Sequence, residues 1–361
     1  MRILQAMAGG ERGGAEAFFV WLCRSLAGRG IDQRAVLRPH SAREAALRDA
    51  GVDAVAAAFG GPLDLFTPRT LRREIEHFRP DIVITWMSRA TAFCPAASPG
   101  HRFLHLGAPT GYYDPKYYRR CGHLMVTTAD LKRFFVESGW VDARVSVIPH
   151  FIPDRCGAPA SRAAFETPED APLLLALGRL HETKGFDVLL EAMRGLTSHY
   201  LWIGGSGPLE GDLKQRAIDL GVGDRVRFLG WRDDTPSLFA AADVFVCSSR
   251  RESFGLMVVE AWMHRVPIVA AAAEGPADLI DHGVNGLLVP KEESAALAGT
   301  ISRLARDSAL ARRLVASGRD TYERVYAEDA GCRRYIELFE GLTASRPGHD
   351  NRQVDQVGGL R

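Results

Sequence analysis

The sequence predicts an α/β protein of two Rossmann-like domains, each built on a parallel sheet, facing each other across a cleft. Three observations predict it. Short apolar runs rich in β-branched residues alternate with longer amphipathic stretches along the chain, as parallel strands covered by helices on both faces require. That alternation breaks between Pro149 and Pro172, where Pro153, Pro159 and Pro168 accompany Gly157 and Asp170, and then restarts with a fresh strand, turn and helix. A chain of 361 residues is also too long for one comfortable core and suits two.

Strands are expected in the first half at 3–7, 34–38, 54–59, 81–86, 102–106, 124–127 and 145–148. In the second half they fall at 173–177, 200–203, 226–229, 244–247, 268–271 and 287–289. Helical patterns lie between them, among others at 15–28, 70–78, 187–193, 209–220 and 256–264. The chain reads as helical from about 294 to 342, and the polar stretch 345–361 as a disordered tail. The domains are then 1–155 and 156–321. Ligands of such sheets bind at the carboxyl ends of the strands, so two facing domains place both sets of loops on one cleft.

Hydrophobic residues at 46% and charged residues at 25% are ordinary for a soluble globular protein. The six cysteines are scattered without a CxxC pair, which argues against a disulfide framework or zinc site and fits a reducing cytoplasm. The apolar run at Met1–Met7 is too short for a signal peptide, and no run reaches the roughly 18 apolar residues of a membrane span. A net charge of +1 gives no reason to expect nucleic acid. Residues 1–150, however, hold 20 Lys and Arg against 14 Asp and Glu. A basic first half suits an acidic acceptor or an anionic membrane face, although scatter between two domains explains it equally. Tyr117-Tyr118-Arg119-Arg120 and Lys132-Arg133-Phe134-Phe135 combine rings with cations, a composition suited to resting on the cytoplasmic leaflet. The competing reading packs the rings inward and leaves the cations in water.

Three loops carry chemistry. The first is Gly9-Gly10-Glu11-Arg12-Gly13-Gly14-Ala15-Glu16, where glycines permit close backbone approach and the helix that follows offers free N–H groups to an anion. It lacks GxGxxG spacing and a Walker lysine, so dehydrogenase and P-loop readings fall, and a plain turn remains open. The second is Gly178-Arg179-Leu180-His181-Glu182-Thr183-Lys184-Gly185, whose two cations would suit a diphosphate, though a solvated basic loop has the same composition. The third, the most specific, is Arg250-Arg251-Glu252-Ser253-Phe254-Gly255-Leu256 running into a helix that carries Glu260. Helical rise puts Glu252 and Glu260 roughly 9–12 Å apart, too far for one metal ion and about the span from a sugar past a diphosphate to a ribose. A glutamate at a helix start plus a second on its surface is the bland alternative, but Glu260 sits among Val258, Val259, Ala261 and Trp262, where a carboxylate needs a partner. Gly204-Gly205-Ser206-Gly207-Pro208 follows a strand near phosphate or sugar, and Gly230-Trp231-Arg232 follows another where a base could lie.

Together these residues resemble the retaining glycosyltransferases of family 4, which have the GT-B fold. The matching segments are GGAE at 13–16, GRLHETKG at 178–185, IGGSGP at 203–208 and FLGW at 228–231. ESFGLMVVEA at 252–261 follows, then EGPADLI and HGVNGLLVP within 274–290. The resemblance spans the chain to about residue 340 and is strongest over 173–290. It implies that Arg179 and Lys184 bind the donor diphosphate, that Glu252 meets sugar hydroxyls and Glu260 the ribose, and that amides near Phe254, Gly255 and Leu256 contact sugar or phosphate. Gly13 and Gly14 would let the first loop close over the donor, His105 would stand near the transferred sugar, and a helix at about 322–342 would cross back to the first domain. The sequence departs from the family at Arg265, where a glycine is usual, at Pro149-His150-Phe151 in the hinge, and after His105, where Leu106-Gly107 replaces an acidic residue and proline. Leu104–Gly107 and Gly111–Tyr118 resemble a bacterial subgroup acting on lipopolysaccharide core sugars.

The resemblance implies transfer of a hexose from GDP-mannose or a UDP-hexose to a glycan or lipid-linked acceptor, with no cofactor and no metal. A nucleotide-sugar epimerase of the same fold and a sugar-nucleotide-binding protein without catalysis are the alternatives.

Overall fold

The computed structural model describes residues 1–61, 63–97 and 102–344; the expected tail at 345–361 lies outside them. Seven strands form the first sheet: β1 (Arg2–Met7), β2 (Asp32–Leu37), β3 (Asp53–Ala56), β4 (Ile82–Trp86), β5 (Leu104–Ala108), β6 (His123–Val126) and β7 (Val145–Val147). Their order is β3-β2-β1-β4-β5-β6-β7. The second sheet comprises β8 (Leu173–Leu177), β9 (Tyr200–Gly204), β10 (Val226–Gly230), β11 (Val244–Cys247), β12 (Ile268–Ala271) and β13 (Leu287–Val289), ordered β10-β9-β8-β11-β12-β13. All pairings are parallel. This is the GT-B architecture, with two doubly wound sheets that both reverse direction beside their first strand.

Central strands are buried on both faces, which is why they read as unbroken apolar runs: Ile82–Trp86 and Val244–Cys247 contain no exposed residue. Reversal of strand order opens a crevice between β1 and β4 in one sheet and between β8 and β11 in the other. The glycine loop at 9–14 follows β1, the loop at 178–185 follows β8, and the loop at 248–255 follows β11. All three therefore leave the carboxyl ends of strands at a switch point.

The chain crosses between the sheets twice, side by side. Ile148 and Phe151 join the first core together with Cys332, Tyr335 and Phe339 of the helix Glu328–Ala344. Ile152, Tyr322 and Tyr326 belong to the second core. The two crossings are tied where the Ile152 amide donates to the Tyr326 carbonyl at 2.9 Å and the Tyr322 hydroxyl to the Ile152 carbonyl at 3.0 Å. Gly331 allows this closeness, since an added Cβ would lie 2.3 Å from the Phe151 Cβ. His150 stacks on Phe18 with ring centroids 3.7 Å apart and reaches Phe254 of the second domain at 5.3 Å. The hinge's departure from the family pattern thus places a ring between the two cores, where burial holds the imidazole down to about 3.

Two further sequence features find physical reasons here. Arg265, where a glycine is usual, has φ 58°, a left-handed conformation in which a side chain is strained by about 1 kcal/mol. Of the four rings considered for a membrane face, Tyr118 and Phe135 are fully buried and pack edge-to-face at 5.5 Å in a small core of their own, Phe134 packs partly buried against them, and Tyr117 is 40% exposed. Lys132 pairs with Asp142 at 3.0 Å and Arg133 with Asp130, while Arg119 and Arg120 are exposed. Three of the four rings thus turn toward the protein, as on ordinary amphipathic surface elements.

Candidate functional site

The loops after β8 and β11 dock backbone to backbone, and this docking makes the site. Amides of Arg250 and Arg251 donate to the Thr183 carbonyl at 2.9 and 3.2 Å, and the Ser248 hydroxyl donates to the Lys184 carbonyl at 2.9 Å. Gly185 (φ 61°) passes so close that an added Cβ would stand 2.2 Å from the Ser248 carbonyl oxygen. Arg250 clamps the same junction with two bonds of 2.7 Å to the Asp187 carboxylate. The result is an ion pair between Lys184 and Glu252, both partly exposed. Burial pushes the Lys184 ammonium down, but the Glu252 carboxylate outweighs it and holds the group above the ordinary lysine range. Arg179, on the same loop, is exposed and without a hydrogen bond or ion pair among the described residues.

Gly255 (φ 98°) turns the chain from Glu252 into the helix Leu256–Met263, whose first amides have no partner within the helix. Lys184, Glu252, Gly255 and Met257 line one small recess with Cys247 and Ser248. A cation, a carboxylate and a helix N-terminus therefore converge there, a combination able to hold a phosphate beside a polyol. A larger cavity of about 540 Å³ lies elsewhere, at the outer edge of the first sheet around Arg34, Asp53 and Glu74, and touches none of these groups.

The first domain closes on this recess. Gly14 packs against Leu256 so tightly that a Cβ would come within 2.8 Å of its Cδ1. The Ser253 hydroxyl donates to the Thr110 carbonyl at 2.7 Å, and the Asp130 amide donates to Asp278 at 2.9 Å. Arg12 lies over the Trp231 ring at 5.0 Å, spanning the cleft. The glycine loop is itself held by Glu16, which accepts from the Gly10 amide at 2.8 Å and would collide with any side chain at Gly13.

Comparison with known proteins agrees with this geometry. Residues 12–155 match the family described as Glycosyltransferase Family 4, and residues 158–321 that described as Glycosyl transferases group 1. Over 338 residues the chain is 34% identical to the lipopolysaccharide core biosynthesis glycosyltransferase LpsD of Rhizobium meliloti (strain 1021), covering 93% of this chain and 98% of that protein. The chain belongs to glycosyltransferase family 4. LpsE of the same organism is 33% identical over 350 residues, with 94% and 98% covered. Among solved structures, this glycosyltransferase superposes on Anabaena Alr3699/HepE in complex with UDP-glucose with TM-score 0.82 at 20% identity, covering 94% of this chain and 100% of the other. WaaG, a glycosyltransferase involved in lipopolysaccharide biosynthesis, gives TM-score 0.71 at 16% identity, with 94% and 100% covered.

Not every expected residue of the transferase reaches the recess. Glu260 is only 3% exposed and pairs at 3.2 Å with Arg155 of the interdomain linker, while its second oxygen has no partner. Burial drives its carboxyl up to about 7, against the pull of Arg155. His105 lies in the interior of the first domain, its Nε2 bonded to the Thr85 hydroxyl at 2.9 Å and its pKa lowered to about 4 by burial. That is a satisfied core histidine. Phe254 is likewise a core side chain, leaving only its backbone for the cleft. Gly205 (φ 141°) has a packing reason of its own, since a Cβ would sit 1.9 Å from the Gly178 carbonyl oxygen. Trp231 is partly exposed and bonds Asp233 at 2.8 Å, with Arg12 on its face.

Sequence reasoning missed Arg43, Arg155 and Arg250. Arg43 donates to the Gly10 and Glu11 carbonyls at 2.8 and 3.3 Å and so shapes the glycine loop from 33 residues away. Arg155 had a faint signal, one of two arginines in a proline-rich linker, but nothing to show which carboxylate it meets.

Proposed function

We propose that this enzyme transfers a hexose, with retention, from a nucleotide-diphosphate sugar to a lipid-linked glycan of the lipopolysaccharide core at the cytoplasmic face of a membrane. The observation that carries the reading is the Lys184–Glu252 pair at the mouth of the helix Leu256–Met263, with Lys184 on a loop that also carries exposed Arg179. Without a donor, cation and carboxylate satisfy each other. A diphosphate offers Lys184 a stronger partner, and the sugar hydroxyls offer Glu252 donors, so binding exchanges one ion pair for two sets of charge-assisted bonds. UDP is favoured over GDP by the solved neighbours that carry UDP and UDP-glucose. The core acceptor is supported by the names of the two Rhizobium relatives.

Breaking the glycosyl–phosphate bond builds positive charge on the sugar and negative charge on the leaving diphosphate. Arg179, Lys184 and the helix N-terminus would stabilise that negative charge as it grows, which is where catalysis is gained. The reading calls on side-chain cations and backbone amides for this. Attack from the face the diphosphate leaves lets its own oxygen take the acceptor hydroxyl's proton. The new glycosidic bond then forms as the old bond to phosphate breaks, with configuration kept.

Thermal melting against UDP, UDP-glucose, UDP-galactose and GDP-mannose tests the reading. The true donor at about 100 times its Kd should add about 2.7 kcal/mol of stability, a shift of several °C. UDP release should then depend on added acceptor. A free epimerised nucleotide sugar formed without acceptor would instead indicate the epimerase, and binding without any product a non-catalytic protein.

A further inference from the structure

Among the described residues ten large apolar side chains are exposed, and three of them fall within four positions: Leu63 at 92%, Leu65 at 61% and Phe66 at 78%. Scattered exposed apolar residues need no explanation, but a cluster does. This one is held outward by a built loop. Asp64 accepts from the Gly60 amide at 2.7 Å and the Phe66 and Thr67 amides at 3.0 and 2.9 Å, and from the Thr67 hydroxyl at 2.6 Å. Arg69 donates to the Leu65 carbonyl at 2.9 Å from the first turn of the helix Phe66–Phe78. The Asp64 carboxylate is thus engaged within the loop, and three apolar side chains stand in water beside it.

Around the tip, arginines outnumber the one carboxylate of Asp64. Arg69 and Arg72 are exposed on the same helix, and Arg72 has no ionic partner among the described residues. The exposed acid Glu76 lies ten residues beyond Phe66, about 15 Å along the helix. The loop leaves the carboxyl end of β3, two strands from β1, so it stands on the same rim as the glycine loop and roughly 10 Å along it. Apolar tips flanked by arginines, on the rim of the acceptor-side cleft, match an anionic bilayer: rings and aliphatic chains enter the acyl boundary while guanidinium groups meet phosphate.

We infer that Leu63, Leu65 and Phe66, backed by Arg69 and Arg72, form the surface by which the first domain docks on an anionic membrane and brings its cleft to a lipid-linked acceptor. The inference rests on the lipid-linked acceptor proposed above and names where that acceptor's membrane is met. It differs from the face at 117–120 and 132–135, where Tyr118 and Phe135 are buried and Tyr117 alone of the four rings is exposed.

The full chain is tested by co-sedimentation with vesicles of phosphatidylcholine alone and of phosphatidylcholine with phosphatidylglycerol. Wild type should bind the anionic vesicles, less so at high salt. Leu65→Ser with Phe66→Ser should weaken that binding at least tenfold without lowering the melting temperature. Arg72→Glu should weaken it about fivefold or more, and only for anionic vesicles. Lys132→Glu should change neither. Binding by the serine variant equal to wild type would overturn the inference. So would a patch whose removal converts a dimer to a monomer in light scattering while vesicle binding stays unchanged, since the occupant is then a second copy. The two readings fail separately. Donor-induced melting shifts with no vesicle binding sink the surface alone, and vesicle binding with no transfer to any acceptor sinks the enzyme reading alone.

Discussion

Replacing Lys184 by alanine is expected to lower turnover by about 10²–10³-fold, the loss typical when one preorganised donor to a developing negative charge is removed. The chain should remain folded. Lys184 is held by Glu252 at a partly exposed site, and the two loops stay docked through Thr183, Ser248 and Arg250 without its side chain. Its ion pair contributes about 1 kcal/mol or less to stability, so the melting temperature should move by only a few °C. Steady-state UDP release with acceptor, measured beside thermal melting, separates the two effects. Turnover within a factor of three of wild type would mean that Lys184 does not face the leaving group.

The second large effect concerns Glu260 and pH. Burial raises its folded-state carboxyl from about 4.5 to about 7, so between those values the folded chain holds a proton that the unfolded chain has released. Stability must then fall as pH rises through this window, by up to about 3 kcal/mol from one side to the other. Glu260→Gln removes the titration. The variant should match wild type near pH 5 and be more stable near pH 8, with Arg155 left partly in water. The family resemblance implies that Glu260 meets the donor ribose, and on that reading donor affinity should fall in the same variant. Urea unfolding of both proteins from pH 5 to pH 8 reads the first effect directly. Parallel curves would show that Glu260 is ionised throughout and that its burial is relieved in solution.

Much of the fold was legible because buried parallel strands are short apolar runs, and these runs are hard to mistake when helices separate them. The expected and observed limits of β8, β11, β12 and β13 coincide, all four being strands that begin directly after a proline, aspartate or glycine. The helix expected from residue 70 begins at Phe66 because Asp64 binds its first amides and Pro68 falls in the first turn, where a missing N–H costs nothing. In the site, the meeting of Lys184 with Glu252 followed from loops at neighbouring strand ends. The same reasoning could not place Glu260 or His105. Which side of a helix or strand faces a core depends on partners far away in sequence, here Arg155 and Thr85, and periodicity does not name them. The rings at 118 and 135 show the same limit: an amphipathic pattern tells that one face is apolar, not whether protein or lipid covers it.

A crystal structure of the chain with a bound nucleotide sugar tests the central claim most directly. The account requires the Lys184–Glu252 pair to part, the diphosphate to lie within hydrogen-bond reach of Lys184, Arg179 and the amides at Gly255 and Leu256, and Glu252 to turn to the sugar hydroxyls. A donor seated elsewhere, with Lys184 and Glu252 still joined, would contradict it.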